Sequence, residues 1–185
     1  MRETLLGILT LAVFGSWGCG PGSFKGTVGG HGLKVEDAVF YVYPGDDTVA
    51  PGIELILSAR PELCDDLRAG RLRKNSTLLD ALLVRRINGE YVAPDKGVYT
   101  ISGSAGRIGA ALFVPYDADC TSSLSPGQGS AVSGTMEVDE LQGAPGGRLE
   151  GSFAMAFGPQ ADQVTGNFSA MWCDLSVPPG SFSCN

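Results

Sequence analysis

Short strand-forming segments that end in turn residues recur along most of this chain. Runs of β-branched, aromatic and aliphatic residues are separated by Gly-, Pro- and Asn-rich connections, and the chain holds 27 glycines and 11 prolines. Long helices tolerate this mixture poorly, because glycine loses backbone entropy and proline lacks a backbone donor, whereas turn-rich β structure accommodates both. Since only 18% of the residues are charged, the sequence predicts an all-β domain with a sizeable apolar core.

The strand signals predict about eight or nine strands in a single domain. Asn88-Gly89 is the strongest hairpin signal. One short helix is expected near 61–69, with Pro61 in its first turn and Gly70 at its end. These elements fit either an antiparallel β-sandwich or a small β-barrel. The strand signals lie at 24–28, 38–43, 53–58, 76–87, 98–102, 107–115, 131–141, 148–157 and 165–174, and 90–93 begins the return of the hairpin.

Two segments near the C-terminus resemble each other. Residues 151–157 and 166–172 each begin with Gly, any residue and Phe, and each carries apolar residues at alternate positions. Alternate residues of a strand face one side, so the faces that contain Phe153 and Phe168 would meet across a hairpin. We interpret these faces as part of the core; a carbohydrate-stacking platform is the alternative.

The first 18 residues have the layout of a secretory signal peptide. Arg2 precedes an apolar run over 5–14, which is shorter than the roughly 20 residues of a membrane-spanning helix. Ser16-Trp17-Gly18 follows and fits the small-x-small pattern of ordinary signal peptidase. The next residue is Cys19, as in a lipobox, although only Gly18 among the three preceding residues conforms to one. Ordinary signal peptidase and lipoprotein processing would both cleave before Cys19.

This N-terminal region resembles that of small bacterial lipoproteins of the outer-membrane type. The resemblance implies a lipid, including palmitate, on Cys19, and Gly20 lacks the Asp that resembles an inner-membrane retention signal. We therefore expect a signal peptide over 1–18, a lipidated cysteine and tether over 19–23, and a single β domain over 24–185. The expected location is the outer membrane, on its periplasmic side or at the cell surface; an ordinary cleavage would give a secreted protein.

The remaining cysteines are even in number once Cys19 is acylated. An oxidising compartment would pair these four as two disulfides, and three pairings are formally available. Proximity in the sequence favours Cys173–Cys184, which leaves Cys64–Cys120. We predict this pairing.

The chain carries few signs of catalytic chemistry. His31 is the single histidine and lies in a glycine-rich segment, and no serine-hydrolase, zinc-protease or phosphate-binding motif is present. The loop acids Asp117 and Asp119 form the best carboxylate pair and a weak candidate calcium site, but calcium needs six to eight oxygen ligands. We assign no catalytic residue, cofactor or metal.

Charge suggests a surface for an anionic partner. The net charge of −7 argues against nucleic acid, yet bases concentrate between 60 and 86. One interpretation is a binding face for anionic lipid, polysaccharide or another envelope protein at Arg68, Arg71, Arg73, Lys74, Arg85 and Arg86; the alternative is a solvated helix and hairpin with ordinary salt bridges.

The sequence therefore predicts a non-enzymatic, membrane-anchored envelope protein that acts as a binding or structural module. One alternative is a small-ligand carrier that uses a barrel interior. The other is an envelope hydrolase with paired carboxylates.

Overall fold

Alternation of apolar and polar side chains along each strand gives the sheet one apolar face, and the sheet closes around it. The computed structural model describes residues 20–45, 50–175 and 183–185, so Cys19 lies outside the described residues. Its elements are β1 (Gly22–Gly26), β2 (Asp37–Tyr43), β3 (Gly52–Ser58), α1 (Leu63–Arg68), β4 (Arg71–Leu72), β5 (Thr77–Ile87), β6 (Glu90–Val92), β7 (Gly97–Ile101), β8 (Gly106–Pro115), β9 (Ala131–Leu141), β10 (Arg148–Phe157), β11 (Asp162–Trp172) and β12 (Ser183–Cys184).

Eight strands form a closed barrel in the order β2-β3-β5-β8-β7-β9-β10-β11. Neighbouring strands are antiparallel except at β7–β8 and at the closing pair β11–β2, which are parallel. Closure rests on two residue pairs, Met171 with Val39 and Trp172 with Phe40. The prediction of an all-β domain with one short helix is confirmed, and the barrel is the form that it takes.

The remaining elements extend the barrel. β1 pairs with β11 below the closing pair, so Gly22 and Ser23, assigned to the tether from the sequence, already belong to a strand. The predicted hairpin forms between β5 and β6, where Asn88 and Gly89 have φ angles of 52° and 92°. No helix among the described residues is long and apolar enough to span a bilayer.

Large side chains fill the barrel interior. An eight-stranded barrel is just wide enough for side chains to occupy its axis. Phe40, Tyr99, Phe113 and Phe157 are almost completely buried there, together with aliphatic residues from every strand of the ring. At one end, the Tyr99 hydroxyl donates to the carbonyl oxygen of Asp95 over 2.6 Å. The interior is therefore a packed core.

Helix α1 covers the outside of β2 and β3. Its apolar residues Leu63 and Leu67 pack on Val39 and Ile56, which point out of the barrel. Asp37 accepts a hydrogen bond from the backbone N–H of Leu63 over 2.8 Å and so satisfies one free donor at the start of the helix. A second, smaller core thus lies between helix and barrel wall.

The pairing of the cysteines differs from the prediction. The structure joins Cys64 to Cys173 and Cys120 to Cys184. Cys173 follows β11, whose end lies beside α1, while β12 pairs with β4 and brings Cys184 to the loop of Cys120. The predicted Cys64–Cys120 and Cys173–Cys184 pairs are wrong because proximity in sequence was a poor guide to proximity in the barrel.

The repeated Gly-x-Phe segments have a packing role. In the β10–β11 register Gly151 lies opposite Phe168 and Phe153 lies opposite Gly166, so each ring covers the glycine of the other segment. Both rings are buried in the barrel core, as we interpreted them from the sequence. The repeat is thus a reciprocal aromatic cover over two glycines.

We predict that Gly151→Ala and Gly166→Ala each lower the free energy of unfolding by about 1–3 kcal/mol. An added Cβ would overlap the Glu137 carbonyl oxygen and the Phe168 ring at one site, and the Ser23 carbonyl oxygen and the Phe153 ring at the other. Urea denaturation with the disulfides intact measures the change.

Gly32→Ala is the matched control, because its nearest neighbour would be 3.9 Å away, and its stability should match the wild type within about 0.5 kcal/mol. Three variants of equal stability would show that the rings do not pack on the glycines as described.

Candidate functional site

Two acidic side chains from neighbouring strands meet on the outer wall of the barrel. Ile53, Leu55 and Leu57 of β3 face inward, so Glu54 between them faces outward. Asp80 faces outward from β5, diagonally across from Glu54, and the two carboxyl groups are hydrogen-bonded to each other. Two carboxyl groups this close share a proton in preference to ionising together.

Two tyrosines extend this acid pair. The Tyr43 hydroxyl donates to Oε2 of Glu54 over 2.5 Å, and 2.9 Å separates the hydroxyl oxygens of Tyr41 and Tyr43. Tyr41, Glu54 and their neighbours alternate outward on β2 and β3, where Tyr41 is the cross-strand partner of Glu54. The result is a linked polar chain, Tyr41, Tyr43, Glu54 and Asp80, on an otherwise apolar wall.

Burial and mutual repulsion shift the ionisation of this group. Partial burial, followed by the charge of Glu54 and the hydrogen bond with it, raises the pKa of Asp80 to about 7. Burial is also the main cause of the raised pKa of Tyr43 and of Tyr116, and the charge of Asp80 adds to the shift at Tyr116. Asp80 therefore keeps its proton up to about pH 7, well above the range in which an exposed aspartate ionises.

The acid pair was missed in the sequence because 26 positions separate its members. The available signal was an isolated acid in each of two strongly apolar strands, with Asp80 the sole charge between Thr77 and Val84. A charge in such a strand is costly unless it finds a partner on the same face.

Asp117 and Asp119, the candidate calcium ligands from the sequence, belong to a hydrogen-bonded loop. Asp117 accepts hydrogen bonds from the N–H groups of Asp119 and Thr121 and from the Thr121 hydroxyl, over 2.6–3.0 Å. These bonds, led by the Thr121 hydroxyl, lower the pKa of Asp117. Within the described ranges no three His, Cys, Asp or Glu side chains gather at one point as metal ligands would.

The six predicted basic residues form two groups at opposite ends of β5. Eleven positions separate Lys74 from Arg85, which corresponds to roughly 36 Å of extended chain. In the first group Arg71 and Arg73 contact the nearly buried Asp66, and Arg73 also bridges to Glu62 over 2.9 Å. Arg68 forms a longer, exposed pair with Asp65 at 3.6 Å. These bases are largely engaged in holding α1.

The second group lies at the end of the barrel where β5 stops. Asp95 bridges two bases there: Arg107 donates to both carboxylate oxygens over 2.8 and 3.0 Å, and Arg85 approaches within 2.9 Å. Arg86 points outward, and its guanidinium carbon lies 5.7 Å from the centre of the Tyr91 ring. Arg107 was not among the predicted residues, because nothing in the sequence showed that β8 runs beside β5.

Exposed apolar side chains concentrate on the same wall. Seven large hydrophobic side chains are exposed in the part of the chain that the structure describes. Five of them lie on β5, β6, β7 or β8: Leu82, Ile87, Tyr91, Val98 and Leu112. Clustered apolar exposure of this kind marks interaction surfaces, whereas scattered exposure does not.

Comparison of the chain with protein-family models, with curated proteins and with solved structures gives no match.

We predict that Asp80→Asn raises the free energy of unfolding at pH 8 by about 1–3 kcal/mol, after allowance for solvent screening. The pKa of Asp80 is about 7 in the fold and 3.8 ordinarily, so the folded state keeps a proton that the unfolded chain releases. Stability of the wild type should therefore fall as pH rises from about 4 to 7, and the neutral amide should remove most of that fall.

Urea denaturation at pH 5 and at pH 8 tests this, with Asp119→Asn in an exposed loop as the control. Parallel pH dependences in the wild type and in Asp80→Asn would contradict the proposed proton sharing.

Proposed function

We propose that this chain is an exported, lipid-anchored envelope protein whose barrel serves as a non-enzymatic binding or structural module. The single observation that carries the proposal is the position of the polar and exposed apolar groups: they lie on the outer wall, around a packed interior. Two disulfides support an oxidising compartment. An anionic lipid, a polysaccharide or another envelope protein would meet the outer wall.

The anchor proposal also has a geometric support. Pro21 accepts a hydrogen bond from Ser169 over 2.9 Å, and Gly22 pairs with Phe168. Only Gly20 separates Cys19 from this hydrogen-bonded chain. A lipid on Cys19 would therefore hold the barrel against the outer membrane instead of leaving it on a long tether.

We predict that the mature protein begins at Cys19 and carries acyl chains there. Intact mass spectrometry of protein extracted from the membrane fraction measures this, and Cys19→Ser should move the protein to the soluble fraction. A wild-type chain that starts at Cys19 without added acyl mass would contradict the anchor and favour a secreted protein.

The carrier alternative has less support. A ligand on the barrel axis would need to displace Phe40, Phe113 or Phe157, which pack there with almost no exposure. Removal of such side chains from a core costs about 3–5 kcal/mol each.

A hydrolase is the second candidate, and the acid pair is the observation that favours it. One protonated and one ionised carboxyl group are the combination used for acid and base catalysis. However, glycosidases separate their two carboxyl groups by about 5–10 Å, and hydrogen-bonded groups are closer than that. Hydrolysis of envelope glycan or peptide that Glu54→Gln abolishes, with an unchanged unfolding midpoint, would favour the hydrolase over the binding module.

A further inference from the structure

We propose that the end of the barrel formed by the β5–β6 hairpin and the start of β7 is a docking surface for a membrane with anionic headgroups. We call this surface the hairpin rim and define it by Arg86, Ile87, Tyr91, Lys96 and Val98. The inference rests on the proposed lipid anchor, which would bring the rim to a bilayer.

The rim combines aliphatic and aromatic side chains with bases. Ile87, Tyr91 and Val98 are 42%, 48% and 50% exposed, although each is large and apolar. Arg86 and Lys96 lie among them in the chain. Apolar side chains that enter the interface, an interfacial tyrosine and bases at headgroup level are what a bilayer surface attracts.

Pairing places Arg86, Tyr91 and Val98 on one outer row, and Ile87 pairs with Glu90 one position nearer the hairpin turn. Tyr91 lies opposite Arg86, and Arg86 lies opposite Gly106 across β5 and β8. Val98 faces outward on the adjacent strand β7, since its neighbour Tyr99 faces inward. Neighbouring strands are about 4.8 Å apart, so Tyr91 and Val98 are separated by roughly 15 Å along the wall.

The charge of this region suits an anionic surface. Between positions 85 and 107 the chain has four bases, Arg85, Arg86, Lys96 and Arg107, against the acids Glu90 and Asp95. Asp95 is engaged with Arg85 and Arg107, which leaves Arg86 and Lys96 facing a partner against Glu90. Acids border the rim on its other side: the adjacent strand β9 places Glu137 opposite Val98 and carries Asp139 and Glu140 at the same end of the barrel, so the basic part of the rim is its hairpin side.

The rim is firmly held, which reduces the entropy lost on docking. Arg86 donates to the Gly89 carbonyl oxygen over 3.0 Å while it stacks on Tyr91. Asp95 links β5 to β8 through its ion pairs with Arg85 and Arg107.

The anchor and the rim belong to the same end of the barrel. β1, β7, β8 and β10 begin at this end, and β5, β9 and β11 finish there. One row of paired residues runs from Gly22 through Phe168, Gly151 and Val138 to Gly97. Four strand spacings make this roughly 19 Å along the wall, so one bilayer can reach both.

The aliphatic residues favour a lipid surface over a polysaccharide. A polyanionic glycan would use the bases and the tyrosine ring, but it would gain nothing from Ile87 or Val98. Exposure of these two side chains is explained if they enter the interfacial layer of a bilayer.

Hydrogen exchange with mass spectrometry tests the proposal on the full-length chain, expressed with its own N-terminus. The purified protein is mixed with vesicles of phosphatidylcholine, with or without phosphatidylglycerol. We expect peptides within 85–98 to become protected at a lipid concentration at least about fivefold lower with phosphatidylglycerol than with phosphatidylcholine alone, the effect of about one surface base on membrane affinity. Peptides of the β10–β11 turn at the other end should be unaffected.

Arg86→Glu combined with Tyr91→Ser should abolish this protection. Val98→Ser alone should weaken the protection. It replaces the double variant as the test if the double variant unfolds at a lower urea concentration than the wild type. Lys34→Glu and Val132→Ser are the matched controls, because they alter an exposed base and an exposed apolar residue elsewhere. Equal protection in the rim variants and in the controls would overturn the proposal.

Two further outcomes separate the possibilities. If dextran sulfate without vesicles protects 85–98 equally, the rim binds polysaccharide and the membrane proposal fails. Acylation of Cys19 is read from intact mass on the same sample. Protection without acyl chains would contradict the proposed anchor but support the hairpin rim as a docking surface. Acylation without protection would contradict the hairpin rim alone.

Discussion

The structure depends on how β11 pairs along the edge that faces away from β10. One edge of this strand pairs with β10, and the other pairs first with β1 and then with β2. Without the two closing residue pairs the sheet would be open, with unpaired edges at β1 and β2 that invite pairing with other chains. The Cys64–Cys173 disulfide ties the residue that follows β11 to the helix packed on β2, so it reinforces the barrel at this closure.

Closure decides what the rest of the molecule can do. An eight-stranded ring leaves room for side chains and little else, and the aromatic residues of this chain occupy that room. The groups that could bind a partner therefore lie on the outer wall, where β5 is the central strand. Asp80 at its middle is hydrogen-bonded to Glu54, and its end carries exposed bases and apolar residues of the hairpin rim.

Local features of the fold were predictable from the sequence, and long-range ones were not. Alternation identified most of the strands, Asn88-Gly89 identified the hairpin, and the Gly-x-Phe repeat identified part of the core. The barrel was not separable from a sandwich, because closure depends on a parallel pair between Val39 and Met171, more than 130 positions apart. The predicted disulfide pairing was wrong and the Glu54–Asp80 contact was missed for the same reason. Register across the barrel, and not distance along the chain, determines both.

The depth of single nitroxide labels at a lipid bilayer tests the central claim most directly. The lipidated protein with its two disulfides would have no free thiol, so Glu90→Cys at the hairpin rim and Gln160→Cys at the opposite end can each carry one label. In vesicles that contain phosphatidylglycerol, we predict that the label at 90 enters the interfacial layer and the label at 160 stays in water. Equal aqueous exposure of both labels, on protein that carries its lipid anchor, would contradict a barrel that docks by the hairpin rim.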